Sequence, residues 1–221
     1  MALFPKIKAL GFDGVELGGD CQGLDAAAVR RALDDAGLAA TGIHVNLNDL
    51  RPKNLQKTID YCKRMGLSMI GIGGADHRTP RRAAKSCAVL KAASDAAASQ
   101  EITIYYHNHE NEFKPYKKGG LPIDSFMDAC MLQVDTYWSH LAGVDNYAFL
   151  TAHRDRICAI HIKDGVGKDT RALGEGDCDL AAVVRGAKAI GLEWLVLEND
   201  SPRPDGLSDA ARSIAWLKAN A

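Results

Sequence analysis

The 221-residue sequence predicts an α/β fold of (β/α)8-barrel, or TIM-barrel, type that lacks the first strand, so that seven βα units are visible. Three observations predict it. Short β-like runs alternate with helix-like runs at a repeat of about 25–30 residues, and parallel strands need such crossover helices. Gly37, Gly66 and Gly191 each close a helical run where a left-handed residue is required. Each strand also has one apolar face and one small or polar face, the latter turning ionisable toward its C-terminal end. A sheet covered on both sides would read as near-continuous apolar runs instead. A closed barrel usually takes ~250 residues, and this chain is shorter by about one unit, at its N-terminus.

Taken in order, a helix end at Phe4–Leu10 closes with Gly11 and precedes a strand at Gly14–Gly18. Helix Leu24–Ala36 and strand Ala40–Leu47 follow, then helix Leu55–Met65 and strand Met69–Gly73. The Ala-rich run Arg81–Ser99 has high helix propensity and leads into strand Ile102–His109. Helix Ile123–Cys130 precedes strand Leu132–Thr136, and helix Tyr147–Arg154 precedes strand Ile157–Lys163. Helix Leu180–Ile190, strand Trp194–Asn199 and helix Asp209–Ala219 complete a single domain spanning residues 1–221.

Composition narrows the function classes. With 47% hydrophobic and 25% charged residues and a net charge of −1, the chain suits a soluble globular protein. The balance lacks the basic footprint of a nucleic-acid binder. No apolar run reaches the ~20 residues of a membrane span, and Met1–Leu10 has no secretory apolar core. These features predict a cytoplasmic protein. Cys21, Cys62, Cys87, Cys130, Cys158 and Cys178 are scattered without a CxxC pair, as expected of reduced, mostly buried thiols.

Period-two alternation places the chemistry-bearing residues. Glu16, His44, His107, His109, Asp135, His161, Lys163 and Glu198 fall on the inward faces near strand ends, and Glu112 lies just after its strand. Polar groups converging at the C-terminal ends of parallel strands describe the mouth of a barrel. Burying several carboxylates together is costly without a positive charge among them, and a divalent cation is an economical solution. Two Glu, one Asp and one His form a mostly hard oxygen set that favours Mn²⁺ or Mg²⁺, with Co²⁺ or Zn²⁺ also compatible.

Six stretches stand in order at strand ends: GFDGVEL (Gly11–Leu17), YHNHENEF (Tyr106–Phe113), VDTYWSHLAGVD (Val134–Asp145), IHIKDG (Ile160–Gly165), LGEGD (Leu173–Asp177) and LVLEND (Leu195–Asp200). Together they resemble the xylose isomerase-like TIM barrels of the sugar phosphate isomerase/epimerase group. The resemblance implies metal ligands at Glu112, Asp135, His161 and Glu198, and a metal-dependent isomerase or epimerase of a keto sugar. In that chemistry Glu198 and Glu112 remove and return the proton α to a carbonyl, and the cation stabilises the enediolate. His107 and His109 hydrogen-bond the reacting oxygens or carry a proton between them. Glu16 and His44 line the substrate pocket, Trp138 offers an apolar face to the sugar, and Lys163 holds a hydroxyl or phosphate.

Other readings compete. The same base and metal would serve a lyase or hydratase acting on a 3-keto sugar or keto-glycoside, and a non-catalytic sugar-binding barrel is a different class altogether. A DNA endonuclease of the same fold would need a basic face that the charge balance does not supply. His140 reads as the start of a helix, Gly174–Gly176 as a turn rather than a phosphate cradle, and Gly71–Gly74 as a strand end. Arg81, Arg82 and Lys85 read as a solvated patch. An unpaired edge beside Gly14–Gly18 and another beside Trp194–Asn199 make a homo-oligomer plausible.

Overall fold

The computed structural model describes residues 1–18 and 23–221. Helix α1 (Phe4–Leu10) leads into β1 (Gly14–Leu17), followed by α2 (Ala26–Ala36), β2 (Ala39–Val45), α3 (Pro52–Arg64) and β3 (Met69–Ile72). Then come α4 (Pro80–Ala98), β4 (Thr103–His107), α5 (Pro122–Ala129), β5 (Met131–Asp135), α6 (Thr136–Leu141) and α7 (Asn146–Ala152). Strand β6 (Ile157–Ile162), the hairpin strands β7 (Asp164–Val166) and β8 (Asp169–Arg171), α8 (Leu180–Ala189), β9 (Leu195–Leu197) and α9 (Gly206–Asn220) complete it. Seven strands form one parallel sheet in the order β1-β2-β3-β4-β5-β6-β9, curved into a nearly closed barrel with helices between.

Packing follows the alternation. Ile43, Ile70, Ile72, Ile104, Leu132, Val134, Ile160 and Ile162 are buried with Val29, Leu33, Ile59, Leu90, Phe126 and Val183 of the helices in one hydrophobic core. Each such side chain contributes roughly 1.5–3 kcal/mol when fully buried. The predicted helix stops are in place: Gly37, Gly66 and Gly191 have φ of +66°, +77° and +74°. Inside the barrel, fully buried Tyr105 lies against Gly71, its register partner on β3. A Cβ at Gly71 would stand 2.0 Å from the Tyr105 ring, so the small inward residue is what makes room for the tyrosine. The described cysteines, Cys62, Cys87, Cys130, Cys158 and Cys178, are all free, and Cys21 lies outside the described residues. No helix among the described residues is long and apolar enough to cross a membrane.

The boundaries differ from the sequence reading in informative ways. Leu47 belongs to a short 3-10 turn, Leu47–Leu50, closed by reciprocal bonds between Asn46 and Asp49 rather than to β2. Strand β4 ends at His107, and a second 3-10 turn, Glu110–Phe113, takes over where His109 was expected to continue the strand. Thr136 opens α6 instead of closing β5, because the Asp135 carboxylate caps that helix. His140 therefore sits in the last turn of α6, not at the start of a helix. The β7–β8 hairpin was not foreseen. Arg81, Arg82 and Lys85 are exposed on α4, as expected, with Arg82 paired to Asp76 at 2.6 Å.

The sheet has two edges, β1 and β9, and among the described residues no strand bridges the gap between them. A cavity of about 370 Å³ runs along this seam, lined by apolar residues such as Ile7, Val15 and Trp194 and, at its inner end, by Glu16, His44, His161 and Glu198.

Candidate active site

Four strands each deliver one ligand-type side chain to the same point. His107 is the last residue of β4, Asp135 the last of β5, His161 lies near the end of β6, and Glu198 directly follows β9. One ligand atom from each of the four lies within 4.8 Å of the others. His107, Asp135 and His161 are buried, while the Glu198 side chain is 36% exposed at the cavity. Register explains the convergence, since β5 and β6 pair Asp135 opposite His161, and Asn108 clamps the β4 end through the Asp135 backbone.

Gln133, one alternation below Asp135, organises the imidazoles. Its Oε1 accepts from His44 Nε2 at 2.8 Å and from His107 Nδ1 at 3.1 Å, and its Nε2 donates to Glu16 Oε1 at 2.6 Å. Because the amide oxygen can only accept, His107 must carry its proton on Nδ1. That leaves Nε2 with a lone pair, 3.8 Å from Asp135 Oδ2. Burial, and then the neighbouring His161, push the His107 pKa well below the ordinary histidine value, so the ring stays neutral, as a metal-binding imidazole must. Replacing Gln133 by Leu keeps the volume but frees both rings, and metal affinity should fall roughly 10–100-fold in a competition titration. Unchanged affinity would show that Gln133 only fills space.

His161 stands between two carboxylates, with Nε2 2.6 Å from Glu16 Oε2 and Nδ1 3.0 Å from Glu198 Oε2. Burial works against an imidazolium, yet the bonds to Glu16 and Glu198 prevail and raise its pKa. Burial likewise opposes ionisation of Glu16 and Glu198, but His161 holds both carboxyls below their ordinary range, helped by His44 and Lys163 respectively. Lys163 is 1% exposed and donates to Glu198 Oε2 at 2.8 Å and to Asp135 Oδ2 at 3.3 Å, with Asp200 Oδ2 at 2.7 Å. The positive charge that buried carboxylates require is thus supplied in part by the chain itself.

The donor set also fits a divalent cation. His107 has a bare nitrogen, Asp135 Oδ1 accepts from the Tyr137 and Trp138 N–H groups at 2.9 Å while its Oδ2 is held only by Lys163 at 3.3 Å, and Glu198 is ionised. Coordination by His161 requires one of its nitrogens to be bare, so one of its two carboxylate bonds would give way and a proton would leave. Lys163 would retain Asp200.

The structure brings Glu16, His44, His107, Asp135, His161, Lys163 and Glu198 together, as the alternation implied. Glu112, expected as both ligand and base, is not among them. It is buried on the other face of β4, where it accepts from Tyr106 Oη at 2.5 Å and from the His109 N–H at 3.1 Å, with His77 Nδ1 3.7 Å away. The reason is the 3-10 turn, which folds Glu112 back onto the backbone N–H of His109, the residue that caps the turn. His107 occupies the cluster in its stead. His109 is half-buried, with its ring 5.0 Å from that of His107 and 5.9 Å from that of Trp138. The Trp138 ring lies 5.3 Å below the Lys163 ammonium. Tyr105, which donates to Glu16 Oε1 at 2.6 Å, and Gln133 were missed as site residues, although both alternate onto the polar face.

Comparison with known proteins follows the same lines. A family model described as xylose isomerase-like TIM barrel matches residues 4–220. A sugar phosphate isomerase/epimerase from Parabacteroides distasonis ATCC 8503 superposes with a TM-score of 0.82 at 21% identity, over 98% of this chain and 90% of that one. A 3-keto-D-glucoside 4-epimerase from E. coli gives 0.77 at 20% identity, over 98% and 92%. A D-allulose 3-epimerase from Methylomonas sp. gives 0.74 at 18%, over 99% and 90%. At these identities the likeness is one of fold. Sequence comparison with curated proteins returns no match.

Proposed function

The chain belongs to the xylose isomerase-like TIM barrel family, and from that premise we propose that it is a divalent-metal-dependent isomerase or epimerase of a keto sugar or sugar derivative. The observation that carries the reading is the convergence of His107, Asp135, His161 and Glu198 from four strands beside a cavity. The solved epimerases of the same fold act on small keto sugars and glycosides, which supports a small-molecule substrate here.

Those four residues are the ones that would hold the ion. Two imidazoles beside two carboxylates are less hard than a set with three carboxylates, which moves the preference from Mg²⁺ toward Mn²⁺, Co²⁺ or Zn²⁺. When bound, the ion would polarise the substrate carbonyl and so acidify the adjacent C–H. Glu198 faces the cavity as an ionised carboxylate and accepts the α-proton. Glu16 is the other carboxylate lining that cavity, on the far side of the His161 ring; it takes the place expected for Glu112 and returns a proton that it first takes up from solvent, while Glu198 gives the abstracted proton back to solvent. His44, whose Nε2 proton is committed to Gln133, accepts from a substrate hydroxyl through Nδ1, Lys163 donates to another, and the Trp138 ring packs against the apolar face of the sugar.

The test is direct. After metal analysis, the protein is incubated with a panel of keto sugars and 3-keto glycosides in deuterium oxide, and exchange at the α-carbon is followed by NMR. Metal-dependent exchange with at least one substrate is expected, and the product separates epimerisation from elimination. Binding of sugars without any exchange would instead identify a non-catalytic barrel.

A further inference from the structure

We propose that His140, Asp177 and Cys178 form a second cation site, away from the barrel-mouth cluster, and that zinc is the ion it takes. His140 closes α6, and Asp177 and Cys178 lie in the loop between β8 and α8. One atom from each, an imidazole nitrogen, a carboxylate oxygen and Sγ, lies within 4.8 Å of the other two. None of the three belongs to the four-residue cluster.

The spacing suits coordination better than it suits direct pairing. His140 Nε2 and Asp177 Oδ1 are 3.5 Å apart, beyond the ~2.7–3.2 Å of a good hydrogen bond. Two such donors at about 2.0–2.1 Å from a tetrahedral ion stand about 3.3–3.4 Å from each other. Thiolate, imidazole and carboxylate together are a donor set for Zn²⁺ rather than for Mg²⁺ or Ca²⁺.

The surroundings point the same way. His140 and Cys178 are half-buried and Asp177 is exposed, so three ligands converge with a fourth position open to water. A separate cavity of about 270 Å³ reaches His140 and is lined also by Asp145, Asp179 and Arg185, two acids to one base. Burial, and then the neighbouring Asp164 carboxylate, push the Cys178 thiol pKa up, so the ion itself must displace the thiol proton. Coordination replaces the S–H bond of Cys178 by a Zn–S bond. The thiol proton passes to solvent, the imidazole stays neutral, and no electrons are exchanged.

Cobalt titration of the full-length protein tests this independently of the catalytic reading, because the barrel-mouth cluster contains no sulfur. The cobalt form should show a near-ultraviolet thiolate-to-cobalt charge-transfer band. The band should persist in Asp135→Asn, disappear in Cys178→Ser, and need at least tenfold more cobalt in His140→Ala. Zinc content should fall by one equivalent in Cys178→Ser. A cobalt-saturated protein without the band, or a band unaffected by Cys178→Ser, overturns the site. Should Cys178→Ser fail to fold, His140→Ala decides, and unchanged cobalt affinity there overturns it equally.

Discussion

Glu198→Gln is expected to lower α-proton exchange by roughly 10²–10⁴-fold, the range of a general base, while leaving the thermal unfolding midpoint nearly unchanged. The amide keeps the size of the side chain but has no negative charge with which to accept a proton. The network around it survives, since Lys163 retains Asp135 and Asp200, and His161 retains Glu16. The rate is measured at saturating metal, so that weaker ion binding does not pass for lost base. Exchange at the wild-type rate would remove Glu198 from the chemistry.

Asp164→Ala should be the most damaging change to stability, with an expected loss above about 3 kcal/mol in urea unfolding. The Asp164 side chain is buried and accepts from the backbone N–H groups of Gly165, Gly174, Gly176 and Cys178 at 2.9–3.2 Å. Each buried donor left without a partner costs about 1–3 kcal/mol. Gly176 packs so tightly over this carboxylate that a Cβ there would come within 2.1 Å of Asp164 Oδ1. The GEG stretch is thus a turn wrapped around an internal anion, which is why it has the look of a phosphate cradle. Asp164→Asn retains one acceptor oxygen and should lose less. A change under about 1 kcal/mol for Asp164→Ala would mean that water replaces the carboxylate.

Much of the molecule was legible because its signals are local. The βα alternation and the three helix-stopping glycines depend on neighbouring residues alone, and each glycine holds the positive φ its position asked for. The inward placement of His44, His107, Asp135, His161 and Glu198 follows from period two, which holds for as long as the backbone stays extended. Gln133 and Tyr105 obeyed the same rule, but an amide and a phenol in a barrel give no sign of their partners. Those partners, Glu16, His44 and His107, lie on β1, β2 and β4, and only closure of the sheet brings them near.

What the amino-acid order determined by itself was therefore the succession of elements and the face on which each strand residue stands. The folded chain alone decided which group of YHNHENEF reaches the cluster. Once β4 gives way to a 3-10 turn the alternation no longer applies, and the direction of Glu112 is set by the Tyr106 hydroxyl and the His109 N–H rather than by its count along the strand. The same holds for the pairing of His140 with Asp177, which are 37 positions apart and meet only because helices and loops pack around a curved sheet.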